Sequence, residues 1–354
     1  MRIAQVAPLF ESVPPQLYGG TERVVSYLTE ELVRQGHEVT LFASGDSVTS
    51  AELVPCIDRA IRLNPRVKEP LPYMLMQLER VRQRASEFDI LHFHVDLIHF
   101  PLFRDIAHKT VTTLHGRLDL PDLKPFYWEF QDMPVVSISN DQRRPIPFAN
   151  WVGTVYHGLP ADVCLFNPNP KGDYVAFLGR ISPEKRPDRA IEIARRAGMK
   201  IKIAAKVDKA DLQYFRECIE PLLSQPHVEF VGEIGENDKS EFLGNALALL
   251  FPIDWPEPFG LVMIESMSCG TPVIAWRCGS VPEVIDPGIT GWIVDSIDAA
   301  VEALKRVERL DRYGVRRQFE ERFTVQRMAA NYLAIYNRLL EAGDKAGEAV
   351  LAQV

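Results

Sequence analysis

Short apolar segments alternate with helical patterns along almost the whole chain, and this alternation restricts the fold more than any other feature. In the first half, residues 22–35 form an amphipathic pattern that Gly36 closes, which predicts a helix. The predicted strands of this half are residues 2–7, 37–43, 90–95, 110–115, 135–139 and 153–156. Strands that alternate with helices indicate a parallel sheet with helices on both faces.

The same alternation starts again after residue 170. The predicted strands of the second half are residues 174–179, 200–205, 228–231, 248–252 and 272–275, and the predicted helices include 189–197 and 211–223. Three prolines in residues 160–170 interrupt regular structure there and predict a linker. We therefore expect two doubly wound α/β domains that face a cleft, with ligands at the carboxyl ends of the strands.

Composition and charge narrow the class of protein. The 354 residues are enough for two domains, and the formal net charge of −8 argues against nucleic acid as the main partner. The five cysteines form no Cys-x-x-Cys pair, which is typical of thiols in a reducing compartment. The chain starts without a signal-peptide pattern and has no run of about 18 apolar residues. We expect a cytoplasmic protein without a transmembrane segment.

Two carboxylates, Glu257 and Glu265, lie eight residues apart in a segment that ends at Gly270. A Pro-Glu-Pro-Phe-Gly turn comes first, and an apolar helical pattern follows. A helix turns about 100° per residue, so eight residues make about two turns. This spacing predicts both acids near one face, Glu257 at the helix entrance and Glu265 about two turns in. A helix entrance presents backbone N–H groups and partial positive charge, so the segment predicts a pocket for a phosphorylated, polyhydroxyl ligand.

Two further segments follow the first predicted strand of each half. Gly19 and Gly20 open the first helix, where they can let a backbone approach an anion, although an ordinary glycine-rich turn explains them as well. Arg180 and Lys185 follow the strand that starts the second half. Solvated surface charge is the ordinary explanation of such residues. We favour phosphate binding, because both cations come at the carboxyl end of a strand.

Histidines cluster in the first half of the chain. His115 ends a buried-looking strand and can act as a hydrogen-bond partner, a proton carrier or a structural residue. His92 and His94 point to the same side of a strand, and His99 is near. These three resemble a metal cluster, but a third converging ligand cannot be identified and no Asp-x-Asp pair occurs in the chain. We therefore predict no metal site.

Residues 73–84 combine apolar and basic side chains in a helical pattern. Such a helix can touch a membrane surface or an acceptor molecule. An ordinary packed helix with a basic outer face explains the pattern better, although peripheral membrane contact stays open.

These motifs together resemble the GT-B glycosyltransferases, specifically the retaining enzymes of family 4, over nearly the whole chain. The segments that carry the resemblance are Gly19-Gly20, His115, Gly179-Arg180 with Glu184-Lys185, Phe230-Val-Gly232, Pro256-Glu-Pro-Phe-Gly-Leu261, Ser268-Cys-Gly-Thr-Pro-Val-Ile274 and Gly279-Ser-Val-Pro-Glu283. The resemblance implies an N-terminal acceptor-binding domain of residues 1–158, to which a helix at about 328–354 returns. Residues 159–327 then form a C-terminal domain that binds a nucleotide-sugar.

The resemblance also implies roles for individual residues. Arg180 and Lys185 bind the diphosphate, while Glu265 binds the ribose hydroxyls. Glu257 contacts the donor sugar, and with His115, Arg180 and Lys185 it completes the expected catalytic set. The other implied contacts are the backbone N–H groups of Phe259, Gly260 and Leu261 for phosphate and sugar, His115 for the sugar, Gly19 and Gly20 for the diphosphate, and Glu233 and Ile234 for the nucleobase.

Two segments depart from the family pattern. Arg186 stands where the family usually has glycine, which bears on the phosphate loop. Residues 156–160 replace the usual Asn-Gly-Ile/Val-Asp, which bears on the hinge.

The implied reaction transfers a sugar from a nucleotide-diphosphate-sugar to an acceptor hydroxyl with retention, without a metal or other cofactor. A UDP-sugar is the favoured donor, with GDP- or ADP-sugars as alternatives, and the acceptor is unknown. Two other interpretations stay open. One is another GT-B enzyme, namely an inverting transferase, an epimerase or a phosphorylase. The other is a non-catalytic protein that binds nucleotide-sugars.

Overall fold

The computed structural model describes residues 1–16 and 19–351, with side chains throughout except at residue 237 and residues 344–351. The chain divides into two compact domains. Residues 1–158, together with those from Val325 onward, form the N-terminal domain, and Leu159–Thr324 form the C-terminal domain.

A seven-stranded parallel sheet is the centre of the N-terminal domain, and its strands lie in the order β3-β2-β1-β4-β5-β6-β7. The strands are β1 (Arg2–Val6), β2 (Glu38–Ser44), β3 (Glu52–Ile57), β4 (Ile90–Phe93), β5 (Thr110–Thr113), β6 (Val135–Ser137) and β7 (Trp151–Thr154). The central strands are almost wholly buried because helices cover both faces of the sheet. The helices of this part are α1 (Gly20–Arg34), α2 (Leu71–Gln83), α3 (Phe100–Phe103) and α4 (Leu123–Glu129).

A second parallel sheet, of six strands in the order β10-β9-β8-β11-β12-β13, is the centre of the C-terminal domain. Its strands are β8 (Tyr174–Arg180), β9 (Lys200–Lys206), β10 (Val228–Gly232), β11 (Leu249–Phe251), β12 (Val273–Trp276) and β13 (Gly291–Val294). Its helices are α5 (Pro187–Ala197), α6 (Leu212–Tyr214), α7 (Glu236–Gly244), α8 (Leu261–Ser268), α9 (Val281–Val284), α10 (Ile297–Leu304) and α11 (Arg312–Arg322). Two doubly wound α/β domains, as the sequence predicts, are therefore confirmed.

The structure adds two strands that the sequence pattern does not predict. Strand β3 contains Pro55, which a central strand would exclude because proline has no N–H for the ladder. The strand lies at the edge of its sheet, where that loss is tolerated. Strand β13 is also an edge strand, and its four residues make too short a run to show alternation.

The helix predicted for residues 211–223 is wrong as a single element. The structure has the short helix α6, then a π-turn over Phe215–Ile219, then a 3₁₀ segment over Glu220–Ser224. Pro221 lies in this last segment, and its missing N–H removes one of the bonds that would continue an α-helix.

The last helix, α12 (Val325–Leu351), belongs to the N-terminal domain. It begins three residues before the predicted start at 328, and residues 352–354 of that prediction lie outside the described residues. Tyr332 and Tyr336 of α12 are wholly buried, and Ile335 packs against Gly153 of β7. A Cβ at Gly153 would approach the Ile335 side chain to 2.8 Å, so this helix lies directly on the strand.

Within the part of the chain that the structure describes, no helix is both long enough and apolar enough to cross a bilayer.

Candidate functional site

The topology of the C-terminal sheet brings three loops together. Strands β8, β11 and β12 are neighbours in the sheet, and all three run parallel. The loops that follow their carboxyl ends therefore meet at one edge, although they are distant in sequence. These loops carry Lys185, Glu257 and Gly279, respectively. The backbone N–H of Asp254 donates to the carbonyl of Glu184 at 2.8 Å and joins the first two loops.

Lys185 and Glu257 form an ion pair at this edge. The Lys185 ammonium contacts the Glu257 carboxylate, and the indole Nε1 of Trp255 donates to the same carboxylate at 3.0 Å. The ammonium also lies 5.1 Å from the ring centroid of Trp255 and 5.8 Å from that of Phe251. Both charged side chains are mostly buried, with 16% and 12% of their surface exposed. The structure thus places a cation and a carboxylate, 72 residues apart, in direct contact.

Arg180 ends strand β8, and it contacts other carboxylates than Lys185 does. Its guanidinium contacts Glu184 and lies 3.7 Å from Asp208 and 3.6 Å from Asp211. Burial raises the pKa of the Asp211 carboxyl even though the Arg180 charge acts in the opposite direction. A phosphate that binds Arg180 would therefore have to compete with these carboxylates.

Gly279 lies in the loop after β12, within the Gly279-Ser-Val-Pro-Glu283 motif. Its φ of 56° lies in the left-handed region, and a Cβ there would overlap the backbone N and O of Glu257 and lie 2.7 Å from the carbonyl carbon of Pro256. The next residue, Ser280, donates its backbone N–H to the Glu257 carbonyl at 3.0 Å and its hydroxyl to the Phe259 carbonyl at 2.7 Å. The loop after β12 therefore holds the backbone of Glu257 in place.

Helix α8 begins later than the spacing argument assumed. Gly260 is its N-cap at φ 81°, and the first helical residue is Leu261, so Glu257 lies outside the helix. Glu265 is only slightly more than one turn in, and the prediction that both acids share a helix face is wrong. The cause is the Pro-Phe-Gly sequence, because the left-handed Gly260 ends the turn before the helix can start. Gly260 supplies no side-chain cap, and its backbone carbonyl accepts a hydrogen bond from the N–H of Met263 at 3.0 Å.

The residues around the start of α8 differ in exposure. Phe259 is buried and packs on Phe323 with ring centroids 6.1 Å apart, while Gly260 and Leu261 are half-buried. Glu233 is exposed and Ile234 half-buried in the loop between β10 and α7.

Glu265 is paired with a lysine that the sequence analysis did not identify. The ammonium of Lys239, on α7, lies 2.5 Å from Oε1 of Glu265, and both side chains are mostly buried. A lysine within a polar helix has no sequence signal that distinguishes it from a surface lysine. Only the packing of α7 against α8 shows that this charge neutralises Glu265.

Arg186, which stands where the family usually has glycine, adopts φ 53° and ψ 52°. This left-handed conformation favours glycine and explains the family preference. The Arg186 guanidinium forms ion pairs with Asp188 at 2.8 Å and Asp254 at 2.9 Å. These contacts offset the strain and tie the loop after β8 to the loop after β11.

In the N-terminal domain, Gly19 is the N-cap of α1 and Gly20 is its first residue. Gly19 is buried, and a Cβ there would lie 2.7 Å from Cβ of Pro15. Close packing against Pro15 is thus one reason for glycine at this position.

His115 lies just after β5, on the same sheet edge as His94, which follows β4. The two rings are linked by a hydrogen bond of 2.9 Å between Nδ1 of His94 and Nε2 of His115. His157 stacks on His115 at 5.4 Å between centroids. Burial lowers the pKa of His115 to about 3, so the ring is neutral at physiological pH.

The histidines considered as metal ligands take part in hydrogen bonds within the domain. His92 bonds to Tyr336 and Thr113, His94 bonds to Gln5 and His115, and Nε2 of His99 lies 2.7 Å from the hydroxyl of Thr112. Over residues 1–16 and 19–351, no group of three or more His, Cys, Asp or Glu side chains has an arrangement that could hold a metal ion.

Because several histidines are buried, we expect the folded protein to lose stability at acidic pH. Burial lowers the pKa values of His92, His94 and His99 well below the ordinary value, so the unfolded chain binds protons that the folded chain does not. The free energy of unfolding is therefore highest above pH about 6.5, and it falls as the pH drops from there towards the pKa values of the folded state. In this pH range, each such histidine should lower the free energy of unfolding by about 1.4 kcal/mol per pH unit. Urea unfolding between pH 7.5 and 5 measures the slope.

The matched variants for this measurement are His99→Gln and His108→Gln. His99 is wholly buried, whereas His108 is exposed. His99→Gln should make the pH slope shallower by about the contribution of one histidine, whereas His108→Gln should leave it unchanged. Equal slopes in the two variants would contradict the assignment.

Comparison with known proteins gives consistent matches over both domains. The family model described as glycosyl transferases group 1 matches residues 166–324, and the model described as glycosyltransferase family 4 matches residues 18–149.

Individual relatives match at greater length. The chain is 30% identical to D-inositol 3-phosphate glycosyltransferase of Mycolicibacterium smegmatis, over 83% of this chain and 79% of that protein. It is 24% identical to O-antigen chain mannosyltransferase C of Escherichia coli, over 96% of this chain and 99% of that protein. The structure is similar in fold to Anabaena HepE in complex with UDP and glucose, with a TM-score of 0.72 and 18% identity over 96% of this chain and all of that one.

Proposed function

Since this chain belongs to the group 1 glycosyltransferases of the GT-B fold, we propose that it moves a sugar from a nucleotide-diphosphate-sugar to an acceptor hydroxyl with retention of configuration. The observation that carries the proposal is the contact between Lys185 and Glu257 beside the start of helix α8. A cation and helix N–H groups suit a diphosphate, while a carboxylate suits the hydroxyls of a sugar.

The C-terminal domain supplies positive charge for the leaving group from its own residues. In the proposed reaction, Lys185 and Arg180 bind the diphosphate, and the first N–H groups of α8, from Leu261 onward, add the partial positive charge of a helix N-terminus. These groups stabilise the charge that develops as the glycosidic bond breaks. No metal ion is needed for this role in the proposal.

The donor and the acceptor supply all the atoms that react in the proposed step. The bond between the anomeric carbon and the diphosphate oxygen breaks, and the electron pair leaves with the diphosphate. The acceptor hydroxyl attacks the anomeric carbon on the face that the diphosphate leaves, and its proton passes to the departing phosphate oxygen. Glu257 holds the sugar hydroxyls and takes no covalent part.

Glu265 is the proposed ligand of the ribose hydroxyls. Its contact with Lys239 at 2.5 Å supports this role, because the ion pair holds the mostly buried carboxylate in one position. Glu233 and Ile234 are proposed to lie near the nucleobase, Gly19 and Gly20 near the diphosphate, and His115 at a sugar hydroxyl. UDP is the favoured nucleotide because the structurally similar HepE was crystallised with UDP and glucose.

A thermal-shift screen with UDP-, GDP-, ADP- and dTDP-glucose tests the donor. A ligand that binds only the folded state stabilises it by about 2.7 kcal/mol at a hundred times its Kd. We expect UDP-glucose to raise Tm the most, and UDP alone to give much of the shift. Glu265→Gln should reduce the shift with UDP, whereas Gln213→Glu, at an exposed position of α6, should not. Equal shifts for all four nucleotides, or none, would contradict the proposed donor.

The stereochemistry and the metal dependence need separate measurements. With the donor that the screen identifies, NMR of the released or transferred sugar reports the anomer formed first. Retention requires the α configuration from an α-linked donor, and a β product would show an inverting enzyme. Turnover should survive EDTA treatment, and its loss with recovery on Mg²⁺ would overturn the metal-independent mechanism.

A further inference from the structure

A chain of hydrogen bonds runs across the carboxyl edge of the N-terminal sheet. It starts at Gln5 in β1, passes through His94 after β4 and ends at His115 after β5. Nε2 of His94 lies 2.8 Å from Oε1 of Gln5, and Nδ1 of His94 lies 2.9 Å from Nε2 of His115. Gln5 and His94 are 0% and 2% exposed, so water does not compete for these bonds.

The chemistry of the three side chains determines which nitrogens carry protons. An amide oxygen only accepts, so Nε2 of His94 must donate to Gln5. His94 is neutral because burial lowers its pKa, and its Nδ1 is therefore an acceptor. Nε2 of His115 must then carry the proton that this acceptor binds. Because His115 is also neutral, its Nδ1 has a bare lone pair.

A second branch of hydrogen bonds orients the amide of Gln5. Its Nε2 donates to the hydroxyl of Tyr336 at 3.4 Å, and that hydroxyl lies 2.6 Å from Nδ1 of His92. The hydroxyl has one proton, so when it accepts from Gln5 it donates to His92. Nε2 of His92 then donates to Thr113 at 2.7 Å. Helix α12, which carries Tyr336, thus helps to orient the amide.

The bare nitrogen of His115 has no hydrogen-bond partner among the described residues, although it is covered by protein. His115 as a whole residue is half-buried, and its ring is stacked on His157. A buried acceptor without a donor costs free energy until a donor reaches it. The Nδ1 atom can accept a hydrogen bond from a hydroxyl, but it cannot donate one.

We propose that Gln5 and His94 are positioning residues that hold His115 as the Nε2–H tautomer, so that its Nδ1 accepts a hydrogen bond from a carbohydrate hydroxyl. His115 is then a hydrogen-bond acceptor in the reaction and not a proton donor. The carbohydrate part of this inference rests on the proposed function, whereas the tautomer is a property of the protein alone.

Long-range ¹H–¹⁵N NMR of the ¹⁵N-labelled full chain at pH 7.5 tests the tautomer without any ligand. The ¹⁵N shifts of His115 should show a protonated Nε2 and a bare Nδ1. Gln5→Leu should convert this single tautomer into a mixture. The matched control is Gln77→Leu, because Gln77 is equally buried but donates to the backbone carbonyls of Ala7 and Phe42. A protonated Nδ1 in the unmodified chain, or an unchanged tautomer in Gln5→Leu, would overturn the proposal.

Turnover tests the carbohydrate part. The probe is the glucose nucleotide with the largest shift in the thermal screen, and release of its nucleoside diphosphate is measured. His115→Leu should reduce turnover about three- to tenfold, the scale of one neutral hydrogen bond. His115→Asn should recover most of it, because its amide oxygen can take the place of Nδ1 as an acceptor. Equal loss in both variants would refute the acceptor role. Absence of any active nucleotide-sugar would refute the proposed function and leave the tautomer result intact.

Discussion

Lys185→Met is expected to lower kcat at least about a hundredfold, the scale of losing one charge that stabilises a transition state. The methionine retains an unbranched chain that can pack on Trp255 and Phe251 but removes the ammonium. The proposed diphosphate leaving group then loses a cation. Steady-state release of nucleoside diphosphate measures kcat. The Tm of the variant shows whether it is folded at the temperature of the assay.

Stability must be separated from chemistry in this experiment. Without Lys185, the mostly buried carboxylate of Glu257 keeps its hydrogen bond from the Trp255 N–H but loses its counter-charge, and an unpaired buried charge is destabilising. The double variant Lys185→Met/Glu257→Gln removes both charges and should recover Tm without recovering kcat. Lys200→Met is the matched control, because Lys200 pairs with Asp173 at the opposite end of the same sheet and is largely exposed. It should keep kcat within about twofold.

Glu257→Ala and Arg180→Ala should show losses of at least the same size as Lys185→Met. Near-normal turnover in all three single variants would refute the assigned site.

Gly279→Ala is the second change with a large expected effect. The added Cβ would overlap the backbone of Glu257, and the φ of 56° also disfavours any residue with a Cβ. The loop after β11 must therefore move, and the Glu257 carboxylate moves with it. Because a displacement of about 1 Å in a catalytic group can cost about a hundredfold, we expect kcat/KM to fall by that order.

Gly198→Ala separates the steric effect from the backbone effect. Gly198 has a φ of 67° at the end of α5, and a Cβ there would meet nothing within 4 Å. Both variants should lose about 1–2 kcal/mol of stability from the left-handed conformation. Only Gly279→Ala should lose activity. Comparable kcat/KM values in the two variants would show that Gly279 does not hold Glu257.

The sequence predicted the fold because hydrophobic periodicity is a local property. Strand–helix alternation indicated two parallel sheets, and both are present. The wrong predictions also have local causes. Strand β3 was not predicted because it contains Pro55, and the helix predicted for residues 211–223 is interrupted at Pro221. Helix α8 begins after Gly260, so Glu257 lies before it.

The candidate site was predictable only in part. Arg180, Lys185, Glu257 and Glu265 could be selected from their types, their place after strands and the family resemblance. Their partners could not, because a contact over 72 residues depends on which strands are neighbours in the sheet. Lys239 and Gln5 carry no signal in the sequence, since nothing in their neighbourhood separates them from ordinary polar residues.

By itself, the sequence determined the two α/β domains and the family, because both follow from local patterns and short motifs. The tertiary structure alone decided that Lys185 neutralises Glu257, that Gly279 holds the Glu257 backbone, and that Gln5 and His94 orient His115. The physical reason is that parallel strands bring their carboxyl ends to one edge. Residues far apart in sequence then form ion pairs and hydrogen bonds that no local sequence pattern predicts.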